Sequence, residues 1–194
     1  PRRLSQAISE GDGISLIAPA RDAQAARDAE SQGAEGVVVE SDLAGIRDAT
    51  GLPILWRAKS SPAEALNGGA DALLVAAQAL EDDAEWLERQ CAEAEDLGLE
   101  CVVEVGAAAE LELALQRLDP EIFLLAPQEA RDADDPLENV LDLLPDIPAG
   151  KLAIADLEVT TPDEIAELER AGVDAVIVGS QSIAGLVRAA PPEV

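Results

Sequence analysis

The 194-residue chain contains no histidine, tyrosine or methionine, one phenylalanine and two tryptophans. Without histidine there is no imidazole base, no Ser–His or Cys–His nucleophile pair and no imidazole metal ligand. With so few aromatic rings, platforms for stacking nucleotide bases are missing too. Positive charge is also scarce. Lys and Arg together number 13, with Lys59 and Lys151 the lysines among them, against 40 Asp and Glu. The net charge of −27 repels phosphate backbones and anionic lipid, which argues against nucleic acid as a partner. No apolar run approaches membrane-spanning length and the first residues do not read as a signal peptide, so a cytoplasmic setting is expected. Cys91 and Cys101 are too few for a disulfide framework. They are expected as small buried hydrophobes in a reducing compartment, with a redox role as the alternative. Chemistry is left to carboxylates, arginine, two lysines, hydroxyls and backbone amides, and no cofactor is implied.

The acidity has two readings. One is adaptation to high salt, with carboxylates abundant, arginine preferred to lysine, and Ala and Val in place of aromatics. The other is a docking surface for a basic partner. The carboxylates are spread along the whole chain rather than gathered in a tail, which favours the global explanation.

What the chain does have is regular alternation. Eight short apolar runs recur: Ile14–Ala18, Gly36–Val39, Pro53–Trp56, Ala72–Ala76, Cys101–Val105, Ile122–Leu125, Leu152–Ala155 and Ala175–Val178. Each is nearly continuous in aliphatic residues, the mark of parallel strands covered on both faces. Between them lie helical patterns over Ala23–Gln32, Asp42–Ala49, Pro62–Leu66, Glu81–Leu97, Ala107–Leu118, Pro136–Leu144, Thr161–Ala171 and Ser182–Ala189. Several stop at glycine or proline, and Thr161-Pro-Asp-Glu is a capping signal. Eight strands alternating with eight helices predict an α/β fold, a (β/α)8 TIM barrel spanning residues 1–194 as one domain with short βα loops. An open doubly wound sheet would want a glycine-rich loop after the first strand, where this chain has Pro19-Ala20-Arg21-Asp22. A small phrase, Gln32-Gly-Ala-Glu-Gly, Asn67-Gly-Gly-Ala-Asp-Ala and Arg170-Ala-Gly-Val-Asp-Ala-Val, marks three helix-to-strand turns.

An ordered set of segments resembles the indole-3-glycerol phosphate synthases of tryptophan biosynthesis. The segments are Ala7–Ala18, Gly51–Leu55, Gly69–Ala77, Leu97–Val105 with Glu110–Leu115, and Ala171–Gly179, and the similarity runs from about Leu4 to Leu186. The resemblance implies decarboxylation and ring closure of a carboxyphenylamino-deoxyribulose phosphate by two Lys, two Glu, an Asn and a Ser at the strand ends. Carried over, the Glu-x-Lys after the first strand falls on Pro19 and Arg21. The third-strand Lys falls on Arg57, with Lys59 two residues on. The fifth-strand Glu survives as Glu104. The sixth-strand Asn falls near Leu125, and the Glu-Ser-Gly after the seventh strand falls on Asp156-Leu157-Glu158. Arginine cannot shuttle protons, proline offers neither carboxylate nor N–H, and one carboxylate cannot run acid–base chemistry alone. The long mobile loop that the family carries after its first strand shrinks here to Pro19–Asp22, and Pro1–Ser9 is a stub of its extra N-terminal helical segment.

The expectation is therefore a degenerate, noncatalytic member acting as a structural or partner-binding subunit, with a protein partner or an oligomer. The alternative is a synthase, or related carbon–carbon lyase or isomerase, with a rearranged site of Glu104, Arg57, Arg21 and Lys59. Glu104 reads either as an acid–base remnant or as a rim carboxylate paired with arginine. Arg21 and Arg57 read as its partners or as a fork for a ligand carboxylate. Trp56 is expected to plug the mouth or stack on a ligand, and Trp86 to pack. Gly179 and Ser180 would form half of a phosphate site, while Leu157-Glu158 brings bulk and like charge to the other half and argues against a phosphate ligand. Glu81, Asp82 and Asp83 suit a helix start. Asp132, Asp134 and Asp135 lack the glycine and terminal Glu of a calcium loop, so no metal is expected.

Overall fold

A computed structural model describes residues 3–11, 13–57, 60–126, 136–159, 161–179 and 183–186. Eight strands form: β1 (Ser15–Pro19), β2 (Gly36–Val39), β3 (Ile54–Trp56), β4 (Ala72–Ala76), β5 (Glu100–Val105), β6 (Ile122–Leu125), β7 (Leu152–Asp156) and β8 (Ala175–Ile177). Each pairs in parallel with the next, and β8 returns to β1 with Ser15 opposite Ala175, closing a barrel. The helices are α1 (Leu4–Ser9), α2 (Ala23–Ser31), α3 (Ile46–Ala49), α4 (Pro62–Asn67), α5 (Ala79–Asp96), α6 (Ala108–Arg117), α7 (Pro136–Leu143) and α8 (Pro162–Ala171). The fold is the (β/α)8 TIM barrel that the alternation predicts.

The strands are apolar throughout because both faces are buried. Ile17, Val38, Leu55, Val102, Leu124 and Ile154 fill the barrel interior. Their chain neighbours Leu16, Val37, Ile54, Val103, Phe123 and Ala153 join the shell between sheet and helices. This is the two-residue period of a strand read on two faces.

Leu4 and Ile8 of α1 belong to the interior cluster, so the N-terminal stub seals the bottom of the barrel. The buried carboxylate of Glu100, at the start of β5, holds it there. It accepts from Leu4 N at 2.6 Å, from Ser5 N at 3.3 Å and from the Ser5 hydroxyl. These bonds satisfy N–H groups that a helix start leaves without partners.

The recurring glycine-to-aspartate phrase has a structural job. Gly69 and Gly172 take positive φ of 83° and 100°, which turns each helix back toward the sheet. The following aspartate then ties off the neighbouring strand: Asp71 Oδ2 accepts from Ile54 N at 2.9 Å, and Asp174 Oδ2 from Ala153 N at 2.8 Å.

Two helices differ from expectation. The segment from Asp42 is a turn until Ile46, because Asp42 accepts from Ala44 N at 2.9 Å and Gly45 takes φ 74°. The long helix starts two residues before Glu81 and is broken at Asp83, with φ −152° and ψ 81°. Asp83 Oδ1 accepts from Trp86 N at 2.9 Å and so caps the part that follows. Of the last expected helix, the described part is a 3-10 turn over Ile183–Gly185.

Candidate active site

Strand periodicity fixes what faces the barrel mouth. Two residues beyond the interior positions Ile17, Val38, Leu55, Val102, Leu124, Ile154 and Ile177 stand Pro19, Glu40, Arg57, Glu104, Ala126, Asp156 and Gly179. Among the described residues the rim is thus one arginine and three carboxylates beside small side chains.

Arg57 dominates it. From the end of β3 its Nη2 donates to Glu104 Oε2 at 2.9 Å, while Nη1 lies 2.6 Å from Asp156 Oδ2 and 3.7 Å from Glu40 Oε1. In a closed ring of eight strands, β3 and β7 stand opposite each other. The Arg57 side chain therefore crosses the mouth, joining β3 to β5 and β7. Burial would lower the pKa of its guanidinium, but the adjacent Asp156 and Glu104 outweigh that and hold it above the ordinary arginine value.

Two clefts flank this network. One, of about 650 Å³, lies over β3–β5 against α5 and is lined by Arg57, Glu104, Ser60, Leu74, Trp86 and Gln90. Ser60 Oγ is buried there without a hydrogen-bond partner. The other, of about 530 Å³, lies between the β1 exit and β8 and is lined by Pro19, Arg21, Asp22, Asp28, Gly179 and Ile183.

Of the residues singled out in the sequence, Arg57 and Glu104 meet as an ion pair. Arg21 is exposed in the second cleft, which it shares with Gly179. Among the described residues no carboxylate lies within ion-pair distance of it. Lys59 and Ser180 lie outside the described residues, as do Asp132, Asp134 and Asp135. Among the described residues no group of three His, Cys, Asp or Glu is placed to hold a metal ion, and no helix is long and apolar enough to cross a membrane.

Two expectations about tryptophan are corrected. Trp56 does not plug the mouth: it follows the interior residue Leu55, so it turns outward against the shell, and its Nε1 donates to Ser41 O at 2.9 Å. Trp86 is 44% exposed and forms part of a cleft wall. The sixth-strand mouth position is Ala126, since Leu125 packs in the outer shell. Sequence reasoning missed Asp156 and Glu40 as partners of Arg57. The signal was available, because each stands two residues beyond an interior aliphatic.

A profile of the family described as "Indole-3-glycerol phosphate synthase" matches residues 21–186, well over half of the chain. The chain belongs to the indole-3-glycerol phosphate synthase family. Among curated proteins, the indole-3-glycerol phosphate synthase of Variovorax paradoxus (strain S110) is 40% identical over 111 residues, covering 57% of this chain and 41% of the relative. That of Geobacillus sp. (strain WCH70) is 30% identical over 164 residues, covering 77% and 63%. The chain thus spans less than two thirds of the length of these family members. The N-acetylmannosamine-6-phosphate 2-epimerase of Clostridium perfringens shares the fold at TM-score 0.69 and 14% identity, with 87% of each chain covered.

Proposed function

We propose that this chain is a noncatalytic barrel of the indole-3-glycerol phosphate synthase family, a pseudoenzyme acting as a structural or partner-binding subunit. The observation that carries the reading is Arg57 lying across the mouth. Its fork holds Glu104, the one acidic residue carried over at the fifth strand, together with Asp156 on the far side. A carboxylate committed to a permanent cation is a poor proton donor or acceptor, and the guanidinium itself gives up no proton at accessible pH. Pro19 supplies no carboxylate and Ala126 no amide, and the other two rim carboxylates, Asp156 and Glu40, lie against the same guanidinium. The partner is a protein or a second copy of this chain, and no nucleic acid is expected beside a charge of −27. The acidity is adaptation to molar salt in a reducing cytoplasm.

A second reading, a synthase or related carbon–carbon lyase or isomerase with a rearranged site, draws on one observation. Glu104 and Arg57 border the cleft of about 650 Å³ whose Leu74 and Trp86 offer an apolar wall. Phosphate separates the two. Gly179 opens toward the second cleft, but Leu157 packs against the outer shell and Glu158 is exposed beside it, so the anion would meet a like charge. Calorimetry in molar KCl with inorganic phosphate and a ribulose phosphate analogue is expected to find no binding tighter than millimolar. Micromolar binding that disappears in Ser180→Asp would refute the noncatalytic reading and favour the enzyme.

A further inference from the structure

Cys91 on α5 and Cys101 on β5 are ten positions apart in the chain, yet the fold brings their sulfurs to 2.6 Å. Both side chains are buried, at 7% and 8% exposure, in the shell between sheet and helices. Sulfurs at this separation are well inside van der Waals contact, and the pair needs little movement to reach the bonding distance of about 2.05 Å. The helix-to-strand turn, through Gly98 at φ 80°, sets this approach. The Asp83 cap and the break it makes set the start of the helix that carries Cys91.

We propose that Cys91 and Cys101 form an intramolecular dithiol–disulfide couple that, when oxidised by a small-molecule disulfide, fastens α5 to β5. The step is thiol–disulfide exchange. One cysteine thiolate attacks the small disulfide, breaking its S–S bond and releasing one small thiol. The second cysteine then attacks the mixed disulfide, forming the Cys91–Cys101 bond and releasing the second small thiol. Both protein thiols lose their hydrogens, and the small disulfide takes up the two electrons. The hydrogen bond with Cys91, burial and the nearby Glu95 push the pKa of the Cys101 thiol up, so the couple rests as thiols until such an oxidant is supplied. The fastening bears on the first cleft: Gln90, next to Cys91, lines it, as does Glu104 of β5.

The test uses the full chain, folded, in molar KCl, with bis(2-hydroxyethyl) disulfide as oxidant. It is neutral, so the acidic surface does not repel it. The two free thiols are expected to disappear together. Intact mass should fall by two hydrogens, the chain should stay monomeric on a non-reducing gel, and peptide mapping should join the two cysteine peptides. The oxidised chain should melt roughly 5–10 °C higher than the reduced one, and dithiothreitol should reverse the change. In Cys91→Ala, Cys101 should end as a mixed disulfide or stay free. A stable adduct on the unaltered chain, a covalent dimer, thiols that react only after unfolding, or a lower melting temperature on oxidation would each overturn the proposal. These readouts on the unaltered chain decide the matter even if Cys91→Ala does not fold.

Discussion

Replacing Arg57 by leucine removes the described cation from the rim and leaves Glu104 and Asp156 there without their shared partner. The magnitude follows from geometry. Charges at about 4 Å interact by roughly 4 kcal/mol at a protein-surface dielectric, offset by the cost of taking them out of water. The side chains are 25% exposed for Arg57, 29% for Glu104 and 22% for Asp156. That places the network between exposed pairs, worth about 0–1 kcal/mol, and buried ones, where loss of one partner costs about 3–5 kcal/mol. Arg57→Leu should therefore cost about 2 kcal/mol, a melting temperature lower by roughly 4–8 °C for a chain of this size. Neutralising the stranded partners tests the cause. The triple variant Arg57→Leu, Glu104→Gln, Asp156→Asn should recover at least half of the loss, because uncompensated charge, not lost volume, is what destabilises the single variant. Thermal melts in molar KCl suppress the general surface repulsion while screening this partly buried network less. A single variant that melts unchanged, or a triple variant no more stable than the single, would refute the reasoning.

Other consequences are as direct. Glu100→Ala strands two buried N–H groups and the Ser5 hydroxyl, and should cost about 3 kcal/mol and expose α1 to limited proteolysis; a cost under about 1 kcal/mol would contradict the anchoring role. Burial raises the pKa of Asp174 above the ordinary aspartate value, outweighing the bond from Ala153 N that lowers it. The folded chain then keeps this proton at pH values where the unfolded chain has lost it, so the stabilisation is full below the unfolded pKa and is lost as pH rises through the folded one. Asp174→Asn, which keeps an oxygen for Ala153 N, should raise the melting temperature at about pH 7 and make no difference near about pH 3; a lower value at neutral pH would count against this. Finally, a net charge of −27 on a chain this small should make stability climb between low and molar KCl, as the screening length falls to about 3 Å. A melting temperature indifferent to salt would favour a local docking surface instead.

Much of the fold is legible in the sequence because double-sided burial leaves a mark on every strand. The eight aliphatic runs need no partner to be recognised, and Pro19-Ala20-Arg21-Asp22, standing where an open doubly wound sheet would want a glycine-rich loop, points to the barrel. The rim was read less well. Glu104 and Arg57 stood out through the family resemblance, whereas Glu40 and Asp156 were hidden among 40 carboxylates. Counting by twos from Val38 and Ile154 would have found both. The same count from Leu55 would have turned Trp56 outward. The Cys91–Cys101 approach is of another kind, since it depends on how far α5 is rotated on the sheet, which spacing along the chain does not specify. Asp42–Ala49 misled because the Asp42 side chain closes a turn on Ala44 N and Gly45 takes a positive φ, so the helix begins only at Ile46.

The central claim, that the rim network replaces catalysis, is tested most directly by turnover. The 194-residue chain at molar KCl, supplied with the carboxyphenylamino-deoxyribulose phosphate that the family uses, should form no indole-glycerol phosphate above the uncatalysed background. Each missing charged or proton-carrying group is worth about 10²–10⁴ in rate, and several are missing here. Arg57→Lys alone should not restore activity, because Pro19, Arg21 and Ala126 remain. A turnover number within about a hundredfold of an ordinary family member would contradict the account, since the loss of even one such group costs that much.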